Sequence, residues 1–207
     1  MNLWFFVCIL GAIIILPVHF LSVEHLKLQG KFGKDKGSKI GDILGLISGW
    51  GFFLFWIGIW ISPQPKIPIP ILQNLTFVIP FANFSIDLLL LIPSIGFIVF
   101  GSWFGINGVK QTSLKVAEMH RSENIVTTGV YSIVRHPQYL GGLLAHVGVS
   151  LLLSALGSLI VTPVMVLLIF LLSWKEEKEL IREFGEVYRV YKKKVPMLIP
   201  KLYSNNA

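Results

Sequence analysis

The sequence predicts an all-α, polytopic integral membrane bundle of about five transmembrane helices, with a C-terminal helical hairpin and a cytoplasmic amphipathic tail helix. Composition is the first observation. Hydrophobic residues make up 54% of the 207 and charged residues 14%, where soluble domains carry roughly a quarter charged. The second is length. Apolar runs cover about 2–22, 43–62, 86–106, 139–156 and 159–174, and a bilayer crossing needs about 20 such residues. The third is charge sorting. With five alternating spans, 17 of the 18 Lys and Arg fall on one side and only Lys66 on the other. The positive-inside bias makes the basic side cytoplasmic and puts the N-terminus outside.

Each element has its own signal. Run 2–22 opens Met1-Asn2-Leu3-Trp4 without a basic residue, and no small-x-small site follows His19-Phe20-Leu21. It is expected to be a retained span, not a signal peptide. In the second run, Gly45 and Gly49 form a small-xxx-small pair suited to a helix contact. Segment 67–85 carries Pro68, Pro70 and Pro80, each removing a backbone donor, so a re-entrant or interfacial piece on the outer face is expected. Its two Asn-x-Ser/Thr tripeptides, at Asn74 and Asn83, carry no functional weight. The fourth and fifth runs read as an antiparallel hairpin turning at Gly157 and Ser158, with the last helix continuing into the charged stretch from Lys175. The chain is expected to divide into N-terminal membrane helices over 1–110 and a C-terminal region over 111–207.

Several classes are excluded. The hydropathy rules out disorder, and a single cysteine, Cys8, rules out a disulfide scaffold. No Gly-x-Gly-x-x-Gly loop follows a strand, which argues against a soluble Rossmann-type enzyme. His120, His136 and His146 are too scattered for a zinc site, so no metal is expected. Topology and lipid headgroups account for the basic loops, so no nucleic-acid partner is expected.

Chemistry concentrates after residue 118. Pro137 reads as the first residue of a helix, so the amides after it form an N-terminus that favours an anion. Arg135 and His136 sit immediately before it, with Tyr131 and Tyr139 nearby. Glu176 and Glu177 return to the same membrane face where the last run leaves the hydrocarbon, and would complement Arg135. Ile181, Phe184, Tyr188 and Tyr191 recur at helical spacing, making 175–194 an amphipathic tail helix. Glu179, Glu183, Glu186 and Lys192–Lys194 are expected on its solvated face. His146, one heptad after Tyr139, is expected to make a helix-packing hydrogen bond, with lining a substrate route as the alternative.

The ordered set Gly129-x-Tyr131-x-x-x-Arg135-His136-Pro137-x-Tyr139-x-Gly141, then Glu176-Glu177, then Phe184-Gly185-Glu186-x-Tyr188-x-x-Tyr191, then Val195-Pro196 and Pro200 resembles the isoprenylcysteine carboxyl methyltransferase family. That family belongs to a wider group of membrane methyltransferases including phospholipid methyltransferases. The resemblance covers about 120–200, so it assigns the cofactor site to the C-terminal region 111–207 and leaves the substrate side to 1–110. It implies S-adenosylmethionine, bound on the cytoplasmic side by Gly129, Tyr131, Arg135, His136, Pro137, Tyr139, Glu176 and Glu177. The helix start with Arg135 or His136 suits the carboxylate of that cofactor, and Glu176 or Glu177 its ribose diol or amine. Tyr131 and Tyr139 suit adenine stacking or the sulfonium.

The expected reaction is carboxyl O-methylation of a lipidated or hydrophobic acceptor such as an isoprenylcysteine. A carboxylate acceptor is already ionised and needs alignment, for which Arg135 is a candidate, and the reaction centre falls near Tyr139. An amine or thiol acceptor must lose a proton, with Glu177 or His136 as candidate base. Phospholipid or small-molecule N- or S-methylation is the alternative. Membrane sterol reductases that bind NADPH carry a related Arg-His motif but usually lack the following proline. A non-catalytic scaffold is the third class, and the full set of polar motif residues argues against it.

Overall fold

Pro17 divides the first apolar run. In the computed structural model, which describes residues 1–68, 76–79, 84–112 and 124–201, that run is two helices, α1 (Leu3–Ile14) and α2 (Leu16–Ser22), joined at Ile15. Asn2 caps the first, its Oδ1 accepting from Phe5 N at 3.1 Å. A short polar helix, α3 (His25–Phe32), ends at Gly33, whose φ of +83° suits glycine. Helix α4 (Lys34–Ile61) then begins well before the apolar run expected from 43, because its first turns are polar and extend out of the hydrocarbon.

Part of segment 67–85 is an antiparallel hairpin. Strands β1 (Thr76–Ile79) and β2 (Phe84–Asp87) pair with Thr76 opposite Asp87. The two Asn-x-Ser/Thr tripeptides begin outside the described residues. Helix α5 (Leu88–Thr112) follows, then a 3-10 turn (Gly129–Ser132) and α6 (Pro137–Leu152). Helices α5 and α6 pack closely through glycine. A Cβ on Gly141 would lie 2.6 Å from Gly101 O, and one on Gly101 would lie 2.8 Å from Gly141 O. Gly45, of the small-residue pair expected in the second run, is buried within α4.

The hairpin turn lies at 153–155, where Ser154 has φ of +50°, slightly before the expected Gly157 and Ser158. Lys66 straps it from outside, its Nζ donating to Leu153 O at 2.7 Å. Helix α7 (Leu156–Phe184) crosses and continues for 29 residues into the charged stretch. Gly185, at φ +58°, breaks the helix expected over 175–194, and α8 (Glu186–Lys194) turns away. The tail is thus the end of α7 plus a separate short helix.

Among the described residues, four helical stretches are long and apolar enough to cross a membrane: Leu3–Ser22, α4, α5 and α7. The fifth expected span, α6, has 16 residues, about 24 Å at 1.5 Å per residue. Phe5, Cys8, Phe52, Trp56, Met165 and Ile169 form the core where α1, α4 and α7 meet. His146, fully buried, closes that layer. Trp56 and Trp60 donate indole N–H to its Nδ1 at 2.7 and 3.0 Å, and its Nε2 faces Ser158 O at 3.2 Å. Two donors on Nδ1 place the ring proton on Nε2. The residue makes the helix-packing bonds expected of it.

Candidate functional site

The site is assembled where α6 begins. Gly129, at φ +57°, turns the chain against α5; a Cβ there would collide with the Gln111 side chain. Its role is in the backbone. Tyr131, in the same turn, accepts from Gln138 Nε2 at 3.2 Å, and its backbone carbonyl accepts from Tyr191 Oη at 2.6 Å. The chain then continues through Arg135 and His136, whose amides donate to Pro196 O at 2.9 Å and Met197 O at 3.1 Å. Residue 136 ends that pairing as the N-cap, and Pro137 opens α6 as anticipated.

Two glutamates on α7 organise the charges. Glu177 is 1% exposed and Arg135 8%. The Arg135 Nε donates to Glu177 Oε1 at 2.7 Å, and its Nη2 lies 2.6 Å from the same oxygen. The third nitrogen, Nη1, donates to Lys192 O at 3.0 Å and to Val195 O. Lys192 Nζ reaches Glu177 Oε2 at 2.7 Å, so this residue, exposed as expected, is also an ion-pair partner of the buried acid. Glu176 faces the other way. It accepts from Tyr139 Oη, and its Oε2 lies 3.5 Å from His136 Nδ1.

The imidazole of His136 sits between both acids, with Nε2 3.3 Å from Glu177 Oε1, and stacks on Tyr139 at 5.6 Å between ring centres. Burial disfavours its charge, but its bonds to Glu176 and Glu177 outweigh burial and hold its pKa above the ordinary 6.5. Burial pushes the phenols of Tyr131, Tyr188 and Tyr191 upward. All three stay neutral donors at physiological pH.

These groups border a cleft of about 150 Å³. Of the residues anticipated from sequence, Tyr131, Arg135, His136, Pro137, Tyr139 and Glu176 line it. Glu177 stands behind the wall and holds Arg135, His136 and Lys192 in place. Sequence reasoning missed part of the lining. Glu179 and Glu183 continue the Glu176 face of α7 at helical spacing, a signal present in the sequence but assigned there to solvent. Val23, His25 and Asn124 also line it, and only long-range packing reveals them.

A polytopic helical membrane protein with a buried Arg–His–Glu cluster at one end of its bundle is the class that fold and site define. The family model for phospholipid methyltransferase matches residues 89–187. A protein-S-isoprenylcysteine O-methyltransferase of Schizosaccharomyces pombe is 31% identical over 120 residues, 52% of this chain and 48% of that protein. One from Xenopus laevis is 38% identical over 91 residues, covering 40% and 29%. A methanethiol S-methyltransferase of Pseudomonas deceptionensis is 40% identical over 76 residues, covering 37% and 28%. The matched stretches span about half or less of these relatives. No solved structure matches. The matches thus liken this chain to phospholipid, isoprenylcysteine and methanethiol methyltransferases.

Proposed function

We propose that this chain is an integral membrane, S-adenosylmethionine-dependent methyltransferase that modifies a lipidated or hydrophobic acceptor. Carboxyl O-methylation of an isoprenylcysteine-like group is the leading reading. The observation that carries it is the cleft at the start of α6, where an anion-favouring helix terminus, the His136–Tyr139 stack and the Glu176 face of α7 converge. That donor set fits the cofactor. The first-turn amides of α6 would hold its carboxylate. Glu176 and Glu179 would hold its amine or ribose diol, and the tyrosine rings suit adenine or the sulfonium. The bound cofactor would supply an electrophilic methyl group.

This chain's residues would orient and desolvate the acceptor. A carboxylate acceptor is ionised at neutral pH, so alignment near Tyr139 is the main requirement. One observation favours a second reading. The Arg135 guanidinium is engaged by Glu177 and two backbone carbonyls, which removes it as the group that aims an acceptor carboxylate. A thiol or amine acceptor has no such need, but it must lose a proton, and Glu176 is a carboxylate that lines the cleft. In either case the cleft is assigned to the cytoplasmic side, with the N-terminus outside. The test is calorimetric binding of S-adenosylhomocysteine against NADPH. Radiolabelled methyl transfer to a farnesylated cysteine and to a small thiol follows. Tight NADPH binding without S-adenosylhomocysteine binding would defeat the proposal in favour of a reductase.

A further inference from the structure

His19 belongs to the first membrane segment, outside the region 89–187 matched by the family model. It is 3% exposed. A buried imidazole in an apolar segment is costly unless a polar partner meets it, and such residues mark functional sites. Its partner is Glu176: His19 Nε2 lies 3.1 Å from Oε1, the oxygen that accepts from Tyr139. With His136 Nδ1 3.5 Å from Oε2, three side chains, from α2 and from the start of α6, converge on this one carboxylate.

A second tie fixes the same corner. Glu24, just past the end of α2, meets Lys175 Nζ at 2.6 Å and Lys27 Nζ at 2.8 Å. Residues 19 and 24 therefore contact consecutive positions, 176 and 175, on α7. Between them, Val23 contributes to the wall of the cleft, as does His25 just beyond. The corner is backed tightly by α4, where a Cβ on Gly41 would fall 2.8 Å from His25 Nδ1. Within α2, Ser22 Oγ donates to His19 O at 2.7 Å and ties the last turn together.

We propose that His19 is a positioning residue that holds the Glu176 carboxylate in the cleft, so that the first membrane segment sets the geometry of the cofactor site. The proposal rests on the methyltransferase reading above. Its test uses the full chain in nanodiscs, with S-adenosylhomocysteine as probe. His19→Ala should raise Kd about ten- to a hundredfold, the scale of one charge-assisted contact. The thermal midpoint without ligand should stay within roughly 4 °C of the parent. His19→Gln, which keeps a donor of similar reach, should recover most of the affinity. In a Glu176→Gln background, His19→Ala should add little, because the two residues act as one unit. His19→Asn, too short to reach Glu176, carries the same test if the alanine variant does not fold. Parental affinity in His19→Ala or His19→Asn, or losses that simply add in the double variant, would overturn the role of His19 alone. Failure of the parent to bind S-adenosylhomocysteine would instead overturn the methyltransferase reading.

Discussion

Arg135 and Glu177 form a two-point pair, Nε and Nη2 both closing on Oε1 at 2.7 and 2.6 Å, with the acid 1% exposed. The remaining nitrogen of Arg135 holds the carbonyls of Lys192 and Val195. The pair therefore joins the loop before α6, the end of α7 and the chain after α8. Removing one member strands a buried charge, which typically costs about 3–5 kcal/mol. Arg135→Ala and Glu177→Gln are expected to lower the thermal midpoint and weaken S-adenosylhomocysteine binding together. Arg135→Lys should recover little, since an ammonium cannot reproduce the fork. Thermal unfolding in detergent checks this; an unchanged midpoint in both variants would contradict it.

The proposed sidedness rests on charge sorting. Cysteines placed at Lys36 and Lys193, in a Cys8→Ala background, should be labelled from the same face. Gln64 is a poor reporter for the other side, because its Oε1 accepts from Ser158 N at 2.7 Å. Exposed Pro63 replaces it. Opposite labelling of Lys36 and Lys193 would contradict the orientation.

His146 separates packing from chemistry. It satisfies two tryptophan N–H groups inside the bundle, and His146→Ala would orphan both. Each buried unpaired donor costs about 1–3 kcal/mol. The variant should be markedly less stable, yet keep parental affinity for S-adenosylhomocysteine per folded molecule. Lost affinity at full folding would instead tie this residue to the site.

How much of this was legible in the sequence depends on the range of each interaction. Hydropathy and local signals exposed the spans, Pro137 at the helix start and the hairpin that returns Glu176 and Glu177 to Arg135. The complementarity of Arg135 to that acidic pair was also readable, although not which acid it takes. The break at Gly185 was hidden because the apolar spacing of Phe184, Tyr188 and Tyr191 continues through it; only the positive φ stops the helix. Contacts such as His19 to Glu176 or Lys192 to Glu177 join distant segments whose periodicities are independent. No local pattern encodes them.

The pH response should have two edges. Bonds to Lys175 and Lys27 hold Glu24 below its ordinary 4.5. A lowered carboxylate contributes stability above about pH 4.5 that is lost as pH falls through its folded pKa. His136 is raised, so its contribution is complete below about pH 6.5 and is lost as pH rises through its folded pKa. Glu24→Gln should lower the midpoint at neutral pH, and the difference from the parent should shrink as the pH falls. His136→Gln should flatten the alkaline edge. Thermal midpoints measured from pH 3 to 9 check both, and parallel curves for parent and variants would refute the assignment.

The tail tests how a water-borne cofactor and a lipid-borne acceptor meet. Tyr188 and Tyr191 of α8 are buried and line the cleft, and Pro196 and Met197 pair with the backbone of Arg135 and His136. Truncation after Gly185 removes all four while leaving α7 and its glutamates whole. Loss of S-adenosylhomocysteine binding is expected, with the long apolar helices still inserted, as protease protection in vesicles would report. The acceptor should come from the other direction. A prenyl or acyl chain gains about 0.8 kcal/mol for each methylene kept in hydrocarbon, so a lipidated acceptor reaches the boundary near Tyr139 laterally. A lipid-free acceptor with the same reactive group should therefore show a KM higher by at least about a hundredfold, since three to four methylenes already account for that factor. Equal turnover of lipid-free and lipidated forms in nanodiscs would overturn lateral entry. It would favour a small thiol or amine reaching the cleft from water.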